Sequence, residues 1–171
     1  MKPTSIFVTY NPKSDLEQTL AVRLHTIGAV NGFRMFLPDR YNSETILDNE
    51  TKRRIGEADY FIMFSTQKLS KIVQQEINYA AQVLRDKSRI IVIYNSRVGK
   101  NIIGATTDNF TALQYDPASD QQDAFLHQIM DIIKAKEIAN LNDNNSQQQA
   151  LIALLGIGLG LFVLDSVANV E

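Results

Sequence analysis

Tyr60-Phe61-Ile62-Met63-Phe64 is an unbroken apolar run set between Asp59 and Ser65. A strand covered by helices on both faces reads this way, because neither side of the pleat meets water. Two runs of the same kind flank it. Ile6 to Tyr10 lies on its amino side, and Arg89 to Tyr94, with Ile90-Ile91-Val92-Ile93 at the centre, lies on its carboxyl side. Helical spacing fills the intervals. Leu16, Leu20, Leu24 and Ile27 follow Ser14-Asp15-Leu16-Glu17, which has the form of a capping box, and Gly28 reads as the stop. Phe33 to Leu37 is a second strand, closed by Pro38-Asp39-Arg40, and a helix is expected from about Ile46 to Glu57. Beyond the central strand, Val73, Ile77, Ala80 and Leu84 line one face of a helix from about Lys71 to Arg85. A short fifth strand near Ala112 to Tyr115 precedes a last helix through Phe125, Ile129, Ile132 and Ile133. That helix opens on a second box-like stretch, Ser119-Asp120-Gln121-Gln122. Strands alternating with helices imply right-handed crossovers and a parallel sheet. The expected architecture is a five-stranded doubly wound α/β domain ending near Glu137.

Composition narrows the chemistry. The chain has 171 residues, 44% of them hydrophobic and 21% charged, a balance suited to one globular domain of ordinary size. It has no cysteine, which excludes disulfides, thiolate metal sites and a thiol nucleophile. Its histidines, His25 and His127, are too few for a histidine-rich metal cluster and read as surface residues of amphipathic helices. A net charge of -2 argues against a nucleic-acid surface, which requires clustered positive charge. The short apolar run at Ile6-Phe7-Val8 is not a signal peptide, so a cytoplasmic location is expected.

The carboxyl-terminal region departs from this composition. Residues 138–149 are polar and read as a linker, whereas residues 150–171 form an apolar, glycine-containing tail. From Ala150 to Leu164 every residue is apolar or glycine. As a helix this stretch would measure roughly 22 Å, short of a bilayer core of about 30 Å. Self-association is expected of it, because Gly156 and Gly160 would let two helices approach closely. Folding back on the domain and contact with a membrane are the alternatives.

In doubly wound sheets, ligands sit at the carboxyl ends of the strands. The loops to search are therefore Asn11 to Lys13, Pro38 to Asn42, Ser65 to Ser70 and Asn95 to Thr107. Gly99-Lys100 lacks the rest of a phosphate loop, and Gly156, Gly158 and Gly160 lack the third position of a dinucleotide fingerprint. Glu76 stands beside the Val73-Ile77-Ala80 stripe, near the start of the helix after the central strand, where the helix dipole favours a carboxylate. From spacing alone it reads as a surface glutamate whose replacement would cost no more than about 0.5 kcal/mol.

Three segments taken in order resemble the TIR (Toll/interleukin-1 receptor) domain family: Ile6-Phe7-Val8-Thr9-Tyr10-Asn11, Phe36-Leu37-Pro38-Asp39-Arg40, and Ile55 through Ser65. The continuation from Leu69 to Ala80 is similar to the family segment that carries its glutamate. The resemblance spans about Thr4 to Glu137 and implies a flavodoxin-like fold. It further implies cleavage of NAD+ at the nicotinamide-ribose bond, by hydrolysis or cyclisation, to an ADP-ribose-derived signal. NAD+ would be substrate, with no separate cofactor. Glu76 would be the catalytic residue, while Tyr10, Asn11, Pro38, Asp39, Arg40 and Ser65 would contribute to substrate binding. Pro38-Asp39-Arg40 would begin a mobile loop over the cleft. Many family enzymes carry a tryptophan four residues before the glutamate, where this chain has Ile72. The resemblance also implies homo-oligomers, a downstream effector that senses the product, and a setting in bacterial antiphage defence. A non-enzymatic scaffold working through TIR-TIR association is the alternative.

Overall fold

The computed structural model describes residues 2–40, 45–95, 109–118 and 120–141. Within them, five strands form one parallel sheet: β1 (Ser5–Thr9), β2 (Arg34–Phe36), β3 (Tyr60–Ser65), β4 (Ile90–Tyr94) and β5 (Thr111–Gln114). Four helices connect or follow them: α1 (Asp15–Val30), α2 (Asn49–Glu57), α3 (Lys71–Val83) and α4 (Gln122–Leu141). The spatial order is β2-β1-β3-β4-β5, with every pairing parallel. Every residue of β1, β3 and β4 is buried, which accounts for their continuous apolar sequences. The short edge strands β2 and β5 are partly exposed.

Strand alternation divides the core in two. Ile6, Val8, Tyr60, Ile62, Phe64, Ile91 and Ile93 face α1 and α4, where Leu20, Leu24, Leu126 and Ile129 close the layer. Phe7, Phe61, Met63, Ile90 and Val92 face α2 and α3, against Ile55, Ile72, Val73 and Ile77. Phe7 and Phe61 are register partners, and their rings stack at 5.6 Å. The same alternation puts Thr9 and Ser65, the last residues of β1 and β3, on the α2 and α3 side.

Several boundaries differ from the sequence reading, each for a local reason. Gly28 does not stop α1. It lies inside the helix, where a β-carbon would run into the Met35 thioether, and the chain turns instead at Gly32 with φ of +85°. Helix α2 starts at Asn49, because Asp48 caps it by accepting the Thr51 N–H at 2.7 Å. Helix α3 ends at Val83, as Leu84 takes an extended conformation. Helix α4 continues to Leu141, past the expected limit at Glu137, so the first residues of the expected linker are helical. Glu137 accepts hydrogen bonds from Thr4 Oγ1 and Tyr60 Oη, both at 2.8 Å, which ties that end of α4 to the amino edge of the sheet. Ser119 of the second box-like stretch, the loop over residues 96–108 and the tail over residues 150–171 lie outside the described residues. Among the described residues, no helix is long and apolar enough to cross a membrane.

Candidate functional site

Glu76 is not a surface residue. It lies in the second turn of α3 with no solvent exposure, which overturns the reading from spacing and the small cost attached to it. Its helix is fixed by Ser70, whose hydroxyl accepts the Val73 N–H, and by Ile72, Val73 and Ile77 packed beneath the sheet. Glu76 therefore points at the carboxyl end of β1, where the Thr9 hydroxyl donates to Oε2.

Arg40 completes the cluster. It follows β2, and the sheet order places β2 beside β1. Its Nη1 lies 2.6 Å from Glu76 Oε1 and its Nη2 lies 3.0 Å from Oε2, a bidentate pair. Nη2 also donates to Thr9 Oγ1 and to the Tyr10 carbonyl, each at 3.2 Å. The guanidinium carbon sits 5.6 Å from the Tyr10 ring centroid. The Arg40 side chain is only 13% exposed, so this ion pair is shielded from solvent. Burial raises the Glu76 pKa above that of an ordinary glutamate, while the Arg40 guanidinium and the Thr9 hydroxyl pull it down.

The segment that carries Arg40 is anchored on both sides. The Asp39 N–H donates to Thr51 Oγ1 at 3.1 Å, and Arg54 Nη1 donates to the Leu37 carbonyl at 2.8 Å. Across the connection, Gln75 accepts the Leu47 N–H at 3.1 Å and donates to the Thr45 carbonyl at 3.0 Å. Adjacent residues of α3, Gln75 and Glu76, thus hold the two arms of the β2–α2 connection. Residues 41 and 42 of the expected mobile loop lie outside the described residues.

Of the site residues read from the sequence, the fold brings Glu76, Arg40 and the Tyr10 backbone into direct contact. Pro38 is buried, and Asp39 is held by its backbone to α2. Ser65 is buried on the α3 side of the sheet, and its hydroxyl has no hydrogen-bond partner among the described residues. Asn11 turns away from Glu76. Its side-chain amide donates to the Lys68 carbonyl at 3.2 Å, and its backbone N–H donates to Glu17.

Two residues escaped the sequence reading. Thr9 touches both charges of the central pair; a polar residue closing a buried strand was the available signal. Glu17 was read as half of a capping box. Ser14 does cap α1, accepting the Glu17 N–H at 3.3 Å. The reciprocal bond is missing, because the Ser14 N–H is already taken by the Asn11 carbonyl at 3.0 Å. The Glu17 carboxylate goes elsewhere.

A parallel sheet in the order 2-1-3-4-5 with helices on both faces defines the flavodoxin-like class, and its carboxyl edge is where the Glu76–Arg40 pair sits. No protein-family model matches the sequence, and no curated protein matches it. Among solved structures, the chain is similar to a flavodoxin-like domain of a Synechococcus sp protein, with 13% sequence identity and a TM-score of 0.43. The match covers 72% of this chain and 89% of that one.

Proposed function

We propose that this chain is a TIR-domain NAD+ glycohydrolase or cyclase that breaks the nicotinamide-ribose bond. The observation that carries this reading is the Glu76 carboxylate, fully buried at the carboxyl edge of the sheet between Thr9 and Arg40. The chemistry suits so sparse a site. Nicotinamide is cationic in NAD+ and leaves neutral, so no acid need protonate it. Positive charge develops on the ribose instead, as in glycoside cleavage. A carboxylate in a dry setting stabilises that charge far better than one in water. Water or an internal hydroxyl then attacks the anomeric carbon, which gives the hydrolysed or cyclised product.

Arg40 has two tasks in this mechanism. At rest it neutralises Glu76, which keeps the carboxylate tolerable in the interior. For turnover the pair must open, and the diphosphate of NAD+ is the anion to which the freed guanidinium is suited. Release of the product as a nucleotide signal, in a bacterial antiviral response and through oligomers of the domain, is part of the same proposal.

The test is chromatography of NAD+ after incubation with concentrated wild-type protein and with Glu76→Gln, a replacement that keeps the side chain's shape. Nicotinamide release by wild type and none by the variant is expected. Equal rates in both would refute the role of Glu76. A second reading, a TIR scaffold without activity, is favoured by one observation: the Glu76–Arg40 ion pair is closed as it stands. Concentrated wild-type protein that self-associates yet leaves NAD+ intact would support that scaffold.

A further inference from the structure

The head of α1 holds a second buried carboxylate, which the chemistry above does not use. Glu17 is 1% exposed, and its oxygens accept hydrogen bonds from two loops far apart in sequence. Oε1 takes the Thr66 N–H at 2.7 Å, the Thr66 hydroxyl at 2.9 Å and the Gln67 N–H at 3.2 Å. Oε2 takes the Asn11 N–H at 2.8 Å. A parallel strap runs from the Asn11 side-chain amide to the Lys68 carbonyl. Helix α1 does not need this carboxylate as a cap, because Ser14 already serves it. Burying a carboxylate is costly, and here the return is a joint between the loops that continue β1 and β3. Those strands end at Thr9 and Ser65, and Thr9 and the Tyr10 carbonyl are the points where β1 meets the Glu76–Arg40 pair.

We propose that Glu17 is a positioning residue, a brace that holds the β1–α1 loop to the β3–α3 loop and so fixes Thr9 and Tyr10 against Glu76 and Arg40. Its kinetic consequence rests on the NAD+-cleavage reading; the brace itself does not.

Glu17→Gln separates the two halves of the joint. A glutamine has one acceptor oxygen, which the three donors from Thr66 and Gln67 retain. Its NH2 then faces the Asn11 N–H, donor against donor, and the β1–α1 loop is released. Hydrogen exchange at the Asn11 amide should accelerate at least about tenfold, while the Thr66 and Gln67 amides stay protected. The KM for NAD+ should rise about fivefold with kcat within about twofold, which loss of folded protein alone would not produce. Asp15→Asn removes a charge from the same helical turn at an exposed position and should move neither quantity. Thr66→Val, which deletes one donor to Oε1, should raise KM about twofold and decides the matter if Glu17→Gln does not fold. Unchanged exchange at Asn11 overturns the brace, and accelerated exchange with unchanged KM overturns the positioning role. If wild type does not cleave NAD+, the failure belongs to the functional reading, and the exchange measurement still decides the brace.

Discussion

Removal of the Arg40 guanidinium should destabilise the domain by an amount set by pH. In Arg40→Ala the Glu76 carboxyl, with no solvent exposure, keeps only its bond from Thr9 among the contacts described. A buried carboxylate that loses its cation takes up a proton instead of remaining charged. The electrostatic loss is therefore limited by the free energy of protonating the carboxyl. At about pH 7, roughly 2.5 units above the ordinary glutamate value of 4.5, that limit is about 3.4 kcal/mol. At about pH 5.5 it falls to about 1.4 kcal/mol. For a domain of this size, with roughly 3 °C per kcal/mol, these limits correspond to about 10 °C and about 4 °C in the melting midpoint. In a Glu76→Gln background no carboxyl remains to be protonated, so the same Arg40→Ala change should cost less and should not depend on pH. Thermal and urea unfolding of the four proteins of this cycle, at both pH values, measures the coupling. A loss below about 0.5 kcal/mol at neutral pH would refute the reasoning, as would an equal loss in both backgrounds.

Glu17 carries a pH signature of its own. Burial raises its pKa above the ordinary 4.5, against the hydrogen bonds from Asn11 and Thr66. Such a carboxyl holds its proton more tightly folded than unfolded, so its contribution to stability is full below the unfolded value and is lost as pH rises through the folded one. Wild type should therefore lose ground to Glu17→Gln in unfolding free energy as pH rises above the ordinary 4.5, and movement in the opposite direction would contradict the assignment. Gly28→Ala pushes a methyl group against the Met35 thioether, the end of a flexible side chain that can shift, while Ala gains about 1 kcal/mol of helix propensity. Urea unfolding should therefore change by less than about 1 kcal/mol, and a loss above about 2 kcal/mol would mean that Met35 is locked in place. Deletion of residues 150–171 should convert an oligomer to a smaller species by light scattering, and a full-length protein that is monomeric at all concentrations without detergent would end the self-association proposal.

The sequence by itself determined the sheet and the helices. Apolar runs at Ile6–Val8, Tyr60–Phe64 and Ile90–Ile93 leave a doubly covered parallel sheet as their natural home, and the helical stripes between them supply the covering layers. Periodicity reports which face of an element is buried. It says little about a polar residue placed on that face: spacing alone makes Glu76 a surface glutamate of an amphipathic helix, and the local pattern makes Glu17 half of a capping box. Their burial depends on partners 36 and 67 residues away for Glu76, and 49 residues away for Glu17. No local pattern encodes those distances. With β2 at the edge beside β1, and the crossover from β2 returning past β1 to β3, Arg40 comes over the end of β1 and Thr66 beside the head of α1. Only then does each carboxylate find the donors that make its burial tolerable. Tertiary structure decided the charges because a buried ion is stable only when its partners are already in place, and chain topology puts them there.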